Sequence, residues 1–396
     1  MTSVVGGVYL ERCIEPFWDD VYGSGGRAAA AMSAAVPEVR LHTYQAAPLR
    51  DGIENLEGAY GMRVVGPDVP GCVSFDYFHS LAVPRIAPRP DAIVEHAPIE
   101  VVDDVVLRFG MLEGSGKVTA DRAVYDPQSA FDPRPFAENG STAKRLALIL
   151  NRLEASCLTD ARDPETAVRE LLDSQRAEVV VLKMGGHGAL VGTRDGCTLV
   201  PAYKSCTVWK IGSGDVFSAS FTQFWAVDGR PAAEAADLAS RATSHYCGTR
   251  ALPTPSVEEL LAMAPEPVTP GSGRIYLAAP FFNLAERWIV EEVRTQLLEM
   301  GVAVFSPLHD VGPGPGEIVA PADLKGVDDC DAMLAILNGA DPGTIFEIGY
   351  AVAQGKPVVA LAQNMRPEDL KMVTGSGCLV VEDVVSAIYH TVWSLP

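Results

Sequence analysis

Short apolar runs alternate with segments of helical periodicity along most of the chain. The runs at 179–183, 274–278, 302–305 and 333–337 are bounded by turn residues. Such runs are typical of parallel strands that are covered on both faces. Because capped helical segments separate them, the pattern predicts an α/β fold in which parallel sheets are flanked by helices.

The helical segment after the run at 274–278 illustrates the pattern. Asn283 and Glu286 have the spacing of an N-terminal capping pair, and Gly301 is placed to end the helix. We expect one apolar side on this helix, formed by Leu284, Trp288, Ile289, Val293 and Leu297.

A proline- and glycine-rich stretch separates two patterned regions. Residues 264–273 read APEPVTPGSG, and 396 residues exceed what one hydrophobic core usually holds. The sequence therefore predicts a first domain at 1–262, a linker at 263–273 and a second domain at 274–396. The first region is too long and too apolar to be a tail, so it is expected to fold by itself.

The segment after the run at 333–337 carries the strongest candidate chemistry. Residues 341–351 read DPGTIFEIGYA, and they are expected at the carboxyl edge of a sheet, where open α/β folds bind ligands. Glu347 is either a functional carboxylate in the first turn of a helix or the partner of Thr344 in a capping box. Asp341 is either functional or part of an ordinary Asp-Pro-Gly turn.

Residues 274–396 resemble the nucleoside 2-deoxyribosyltransferase family. The resemblance rests on the motif at 341–351, on the Ile-Tyr-Leu-Ala strand around Tyr276 and on the position of Asp323. The resemblance implies a flavodoxin- or Rossmann-like doubly wound parallel sheet. It implies that Glu347 is the nucleophile, that Tyr276 orients it and that Asp323 assists at the nucleobase. By the same resemblance Asp341 holds the 5′-hydroxyl of the sugar. The family also implies a homo-oligomer in which a neighbouring subunit completes each site, and no cofactor for the glycosyl transfer.

Cleavage of an N-glycosidic bond explains why these residue types are needed. The reaction passes through an oxocarbenium-like state, which a carboxylate below C1′ can stabilise or capture covalently. The leaving base must gain a proton, and a carboxylic acid such as Asp323 can supply it. A second base then gives transfer and water gives hydrolysis. The sequence leaves both outcomes open, as it does the base preference and the choice between ribose and deoxyribose.

The carboxylate of Asp341 bears on the charge of the substrate. Placed at the 5′ end of the sugar, it would repel a phosphate and suit a neutral hydroxyl. A nucleoside is therefore expected as the substrate, with a free nucleobase or a pentose as the other small molecule. A nucleotide N-glycosidase remains an alternative.

Four further residues are candidates for contact with the nucleoside. Phe281 is placed to stack on the base, although an aromatic residue at a strand end is more often part of the core. His309 and Asp310 follow a predicted strand, where they would touch base or sugar. Met372 is expected either to line the pocket or to pack in the core.

The first region contains motifs of a second kind of site. Residues 212–215 read GSGD before a helix, so that backbone N–H groups can cradle phosphate charge and Asp215 can accept a proton from a hydroxyl. Asn151 and Glu154 follow an apolar run, and the turn GGHG at 185–188 follows a predicted strand.

Near the start of the chain, a first strand is expected at 6–11, and a glycine-rich turn precedes a small-residue helix at 23–31. Together with the motifs above, these features resemble ribokinase-like PfkB sugar and nucleoside kinases over residues 1–262. The resemblance implies a ribokinase-like α/β sandwich that uses ATP and Mg²⁺ if the kinase is active. It implies that Asp215 is the catalytic base and that Gly212 and Gly214 form the anion hole. It also implies that Asn151 and Glu154 form the magnesium and phosphate site and that Gly186 lies near ATP.

Some positions depart from the kinase pattern. An Asp-Thr pair usually precedes the glycine turn, where this chain has Trp209 and Lys210. The substrate-binding aspartate is replaced by Glu11, and Arg27 stands near a position used for sugar contact. The first domain is therefore either a kinase or a domain that binds ligand or serves as a scaffold. For the whole chain, the alternative to an enzyme is a nucleoside-sensing protein.

Composition narrows the partners and the compartment. A formal net charge of −20 argues against binding to nucleic acid or anionic membranes, since both need a basic surface. The eight cysteines include no Cys-x-x-Cys pair and the seven histidines show no ligand spacing, so we expect reduced thiols and no zinc site. No apolar run reaches the ~20 residues of a membrane span and the start has no signal-like segment, so we expect a cytoplasmic enzyme.

Overall fold

The computed structural model describes residues 1–129 and 132–396. It divides into two compact units, Met1–Val268 and Thr269–Pro396. The division lies inside the segment assigned to the linker, and the Val268 N–H still donates to the Ala202 carbonyl oxygen at 2.8 Å within the first unit. Within the two described ranges, no helix is long and apolar enough to cross a membrane.

The strands of the first unit, in chain order, are β1 Thr2–Val5, β2 Leu10–Glu15, β3 Trp18–Val21, β4 Arg40–His42, β5 Gln45–Ala46, β6 Arg63–Val65, β7 Asp68–Val69, β8 Ser74–His79, β9 Arg85–Ala87, β10 Ile99–Phe109, β11 Gly116–Asp126, β12 Thr142–Asn151, β13 Val179–Lys183, β14 Ala189–Thr193 and β15 Gly196–Val200. Its helices are α1 Gly23–Met32, α2 Arg50–Tyr60, α3 Arg152–Leu158, α4 Pro164–Ser174, α5 Ser213–Phe221, α6 Ala232–Thr249 and α7 Val257–Met263.

Most of these strands form one large sheet in the order β15-β14-β13-β12-β11-β10-β1-β4-β6. Its pairs are parallel from β6 to β13, and β14 and β15 add an antiparallel edge. A smaller sheet has the order β3-β2-β8-β9, and β5 pairs with β7. The large parallel sheet confirms the ribokinase-like α/β architecture expected for this part of the chain.

Both faces of the large sheet are covered, and β13 shows the pattern that causes this. Val179 and Val181 pack in one apolar core, whereas Val180 and Leu182 pack in another. Because successive side chains of a strand point to opposite faces, a continuous apolar run fits a strand with helices on both sides.

The first strand differs from the prediction. We expected it at 6–11, but the structure has β1 at Thr2–Val5, and the residues after Val5 form a loop before β2. The glycines in that loop mark a close approach of backbones, because a Cβ added to Gly6 would lie 2.9 Å from the Cα atom of Gly25 in α1.

The second unit, described in full, contains β16 Arg274–Ala278, α8 Leu284–Glu299, β17 Ala303–Phe305, α9 Gly316–Asp328, β18 Ala332–Ile336, α10 Pro342–Ala353, β19 Val358–Leu361, α11 Pro367–Gly375, β20 Leu379–Val381 and α12 Val384–Trp393. Its sheet is parallel throughout in the order β17-β16-β18-β19-β20. This is the flavodoxin-like order, so the predicted doubly wound sheet is confirmed.

Helix α8 has the predicted cap but a different buried face. Asn283 and Glu286 form the reciprocal capping box. The buried residues are Val290, Val293 and Leu297, whereas Leu284 is 84% and Trp288 is 49% exposed. At about 100° per residue the two sets lie on opposite sides of the helix, so the expected apolar side was wrong for Leu284 and Trp288.

Candidate functional site

Tyr276 and Glu347 meet at the carboxyl edge of the second unit's sheet. The Tyr276 hydroxyl donates to Glu347 Oε1 at 2.8 Å. Tyr276 lies on β16 and is fully buried, and its ring stacks on Phe305 with centroids 5.4 Å apart. Phe305 is its register partner on the adjacent strand β17. The sheet therefore fixes the tyrosine, and the tyrosine holds one oxygen of the carboxylate.

Helix α10 brings Glu347 to this position in its second turn. The N-cap is Asp341, whose Oδ2 accepts hydrogen bonds from the Thr344 N–H at 2.8 Å and the Thr344 hydroxyl at 3.1 Å. Because Pro342 opens the helix, Glu347 lies beyond the first turn and forms no capping box with Thr344. The prediction of a first-turn carboxylate was therefore wrong by one turn.

The surroundings of Glu347 favour its neutral form. Burial raises the pKa of Glu347 to about 7, and the negative charges of Asp323 and Asp341 act in the same direction. The hydrogen bond from Tyr276 opposes this shift because it stabilises the carboxylate. Burial also raises the pKa of Tyr276, as does the charge of Glu347, so the tyrosine stays a hydrogen-bond donor.

Asp323 and Asp341 lie within electrostatic range of Glu347 but are held differently. Asp323 is on α9, and burial raises its pKa. Its Oδ1 is buried and has no hydrogen-bond partner among the described residues. Oδ2 of Asp341 accepts the hydrogen bonds of the helix cap, whereas Oδ1 takes no part in that cap. The Asp-Pro-Gly segment therefore has a structural role.

The four other candidate residues come after strands of the same sheet. The His309 ring is within 3.0 Å of Ser306 Oγ and 2.9 Å of Glu291 Oε1. Asp310 Oδ2 accepts the Ser306 N–H at 2.8 Å. These bonds give both residues structural partners.

The remaining two candidates are more exposed. Phe281 is half-buried, with its ring centroid 5.5 Å from that of Phe282, which is 72% exposed. Met372 is on α11 and 79% exposed, so its core-packing alternative is wrong.

Gly326 is a residue of this site that the sequence analysis missed. A Cβ added to it would lie 2.4 Å from Cε1 of Phe305. The glycine thus lets α9, which carries Asp323, approach the ring that stacks on Tyr276. The available signal was a glycine three residues after Asp323.

The candidate base of the first unit is held on both oxygens. Asp215 lies in the first turn of α5, whose N-cap Gly212 has φ +76°. Arg27 Nη1 donates to Asp215 Oδ2 at 3.0 Å, and Gln128 Nε2 donates to Oδ1 at 2.6 Å. Burial raises the pKa of Asp215, and the Arg27 charge opposes that shift.

The same guanidinium also binds Glu11. Arg27 Nη1 donates to Glu11 Oε1 at 3.0 Å, and Nη2 donates to Glu11 Oε2. Arg27 is 1% exposed and lies 5.2 Å from the centroid of the Tyr22 ring. The structure therefore brings together three residues that the sequence analysis named separately, with the arginine between the two carboxylates.

Asn151 and Glu154 form the capping box of α3. The Asn151 N–H donates to Glu154 Oε2 and the Glu154 N–H donates to Asn151 Oδ1, both at 2.8 Å. Burial raises the pKa of Glu154 to about 7, helped by the charge of Asp126 and opposed by Lys183. A structural role is therefore shown for the pair, and a role with phosphate stays a prediction.

Lys183 is a second residue that the motif search missed. Its Nζ donates to Asp126 Oδ2 at 2.7 Å and would lie 3.6 Å from a Cβ added to Gly214. Gly186 lies just beyond the end of β13, in the helical turn Gly185–His187. These positions place a lysine charge beside the glycine turn proposed as the anion hole.

The residues of the first unit fit Mg²⁺ held with phosphates better than a protein-only metal centre. Among the described residues, no group of three or more His, Cys, Asp or Glu side chains could hold a metal ion. Mg²⁺ usually takes one or two carboxylates and completes its shell with phosphates and water. Asp126 Oδ1 is buried and has no hydrogen-bond partner among the described residues, and its charge acts on Glu154, so these two carboxylates are the ones that would hold such an ion.

Trp209, at one of the departures from the kinase pattern, belongs to the core. It is 2% exposed, its ring centroid lies 5.5 Å from that of Trp18, and the Arg250 guanidinium lies 4.2 Å from the ring. The neighbouring Lys210 N–H donates to Ser80 Oγ at 3.2 Å. The departure thus adds packing around the turn that leads to Gly212.

Comparison with protein families confirms both resemblances. The family model described as nucleoside 2-deoxyribosyltransferase matches residues 275–383, and the one described as pfkB family carbohydrate kinase matches residues 116–258. Both are families of enzymes. No curated protein sequence matches the chain.

Solved structures of ribokinase type are similar to part of this chain. The ribokinase from Giardia lamblia is 14% identical, with a TM-score of 0.50, over 66% of this chain and 98% of that chain. The ribokinase from Thermotoga maritima is 18% identical, with a TM-score of 0.47, over 66% and 98%. The fructokinase from Vibrio cholerae in fructose, ADP and calcium ion bound form is 12% identical, with a TM-score of 0.48, over 66% and 98%. At these identities the likeness concerns the fold alone.

Proposed function

We propose that the second unit cleaves or exchanges the N-glycosidic bond of a nucleoside, with Glu347 as the nucleophile. The observation that carries this proposal is the half-buried Glu347 carboxyl, held at 2.8 Å by the Tyr276 hydroxyl and with its pKa raised to about 7. A nucleophilic carboxylate must be ionised yet poorly solvated, and this pairing supplies both conditions near neutral pH.

In the first step, an oxygen of ionised Glu347 attacks C1′ as the bond from C1′ to the base nitrogen breaks. Tyr276 donates to Oε1 and thereby leaves Oε2 to attack. The departing base gains the proton of Asp323, whose pKa burial raises. The products of this half-reaction are a glycosyl ester on Glu347 and a free base.

In the second step, a base nitrogen or a water oxygen attacks C1′ and the ester bond to Glu347 breaks. The incoming group returns its proton to Asp323, so each residue regains its starting form. Two displacements at one carbon retain its configuration. Transfer and hydrolysis therefore use the same residues and differ only in the attacking molecule.

The substrate we infer is a nucleoside without a 5′-phosphate. Asp341 lies close enough to raise the pKa of Glu347 through its charge, and its Oδ1 is not used by the helix cap. A second carboxylate beside the sugar favours a neutral hydroxyl over a phosphate. As in the family that this unit resembles, we propose a homo-oligomer, here with no cofactor for the glycosyl step.

A binding role is the second candidate for the first unit, and one observation favours it. Both oxygens of Asp215, the candidate kinase base, accept hydrogen bonds from Arg27 and Gln128. An acceptor hydroxyl must therefore compete with donors that already hold each oxygen of the base. The alternative is an ATP- and Mg²⁺-dependent sugar or nucleoside kinase, in which the hydroxyl wins that competition.

Base release from nucleosides tests the proposal for the second unit. The full chain is incubated with a panel of nucleosides and 5′-nucleotides, with and without a free base, and released bases are separated by chromatography. We expect release from nucleosides and its loss in Glu347→Ala. The matched control is Glu299→Ala, at the exposed C-terminal end of α8. An inert wild type, or equal turnover by Glu347→Ala, would sink the proposal.

A further inference from the structure

Arg27 lies between two acids that are candidates for contact with an acceptor hydroxyl in the first unit. It is the largest fully buried side chain of the described residues and lies between Glu11 and Asp215. Those two carboxylates correspond, by the resemblance, to the acid that binds the acceptor and the base that activates it. The guanidinium therefore occupies the space between the groups that would have to contact an acceptor hydroxyl.

Every carboxylate oxygen of the two acids is already engaged. Arg27 bonds to both oxygens of Glu11 and to Asp215 Oδ2, and Gln128 bonds to Asp215 Oδ1. A hydroxyl that gives its proton to Asp215 must first donate a hydrogen bond to it. Glu11 and Asp215 are 5% and 8% exposed and the guanidinium bridges them, so a hydroxyl that contacts both acids must displace Arg27.

The arginine is also fixed by packing. A Cβ added to Gly212 would lie 2.1 Å from Arg27 Nε, so the side chain rests directly on the glycine turn. The Tyr22 ring lies on the guanidinium, and Trp18 stacks on Tyr22. Displacing Arg27 would leave buried charges without partners, which is far more costly than what a neutral hydroxyl gains from one hydrogen bond.

We propose that Arg27 excludes neutral sugar and nucleoside acceptors from the first unit. A pentose set free by the second unit is then not phosphorylated by the first. This inference concerns other residues than Glu347 and stands whether or not the second unit is an enzyme.

Binding of D-ribose to the full chain tests the inference. Calorimetry should show no measurable binding to wild type and, because removal of the guanidinium frees both acids, an affinity at least about tenfold higher in Arg27→Ala. The matched control is Arg145→Ala, which removes an arginine of the same unit that pairs with Glu178 on the surface. It should bind no more ribose than wild type.

A double variant guards against misfolding. Arg27→Ala combined with Asp215→Asn removes one positive and one negative charge, so fewer buried charges are left unpaired than in Arg27→Ala alone. This double variant should also bind ribose more tightly than wild type. Equal binding by wild type and both Arg27 variants would overturn the inference. So would ATP-dependent phosphorylation of D-ribose by wild type that is lost in Asp215→Asn.

Discussion

Half-buried Glu347 and buried Asp215 are carboxylates in the first two turns of helices, and their partners differ. Burial raises the pKa of each. Glu347 is bonded to the neutral hydroxyl of Tyr276, whereas Asp215 is bonded to the Arg27 guanidinium and the Gln128 amide. The neutral tyrosine orients one oxygen of Glu347 and leaves its charge uncompensated, while the guanidinium supplies a positive charge that Asp215 shares with Glu11.

This difference shows that a motif alone does not decide the chemistry of its carboxylate. By the two resemblances each residue corresponds to a catalytic group, yet of the two only Glu347 keeps an oxygen without a hydrogen-bond donor among the described residues. The second unit therefore has the better case for turnover.

Replacing each carboxylate by its amide should separate the two units. Glu347→Gln removes the nucleophile, so kcat for base release should fall at least about 10³-fold. Asp215→Asn should leave kcat for base release unchanged, because no step of the proposed reaction uses Asp215. Steady-state base release by the full chain measures both. A comparable loss in the two variants would break the contrast.

Tyr276→Phe should lower kcat about ten- to hundredfold, because a hydrogen bond to a charged group contributes about 1.5–3 kcal/mol. The lost bond favoured the carboxylate, so the apparent pKa for activity should rise above about 7 and the loss should be larger at pH 6 than at pH 8. Tyr350→Phe is the control, since that hydroxyl donates to Asp328 elsewhere in the unit. A pH–rate profile that does not move in Tyr276→Phe would contradict the role of the tyrosine.

Gly326→Ala should have a smaller effect that reaches both stability and rate. The added Cβ would lie 2.4 Å from the Phe305 ring, and such overpacking costs about 1–3 kcal/mol. Since α9 and the ring must move apart, kcat should fall together with the thermal midpoint. Gly316→Ala, in the same helix with nothing within 4 Å of the added Cβ, serves as the control and should keep both values.

The sequence predicted two α/β units with parallel strands because these depend on local periodicity, whereas the doubly wound sheet of the second unit was implied by the family resemblance. It missed the first strand because the glycines at 6 and 7 fit both an extended strand and a close backbone approach. It placed Glu347 one turn early because Asp341 and Thr344 are both good N-cap residues. Pro342, which is favoured at the first helical position, was the signal for Asp341.

The partners of the site residues were harder to predict from sequence. Arg27 and Asp215 are separated by 188 positions, so no spacing rule relates them. The same is true of Tyr276 and Glu347, which are 71 positions apart, and there only the family resemblance supplied the pair. Lys183 was missed because a lysine at the end of a strand has no motif of its own.

Trapping the sugar on Glu347 tests most directly whether this residue forms a bond to C1′. Fluorine at C2′ of a nucleoside destabilises the oxocarbenium-like state. The ester on Glu347 then breaks down very slowly, so a glycosyl-enzyme should accumulate. After an acid quench and digestion, mass spectrometry of wild type should show the fluorinated sugar on Glu347, and Glu347→Gln should show none. An active wild type that carries no adduct, or carries it on another residue, would contradict the account.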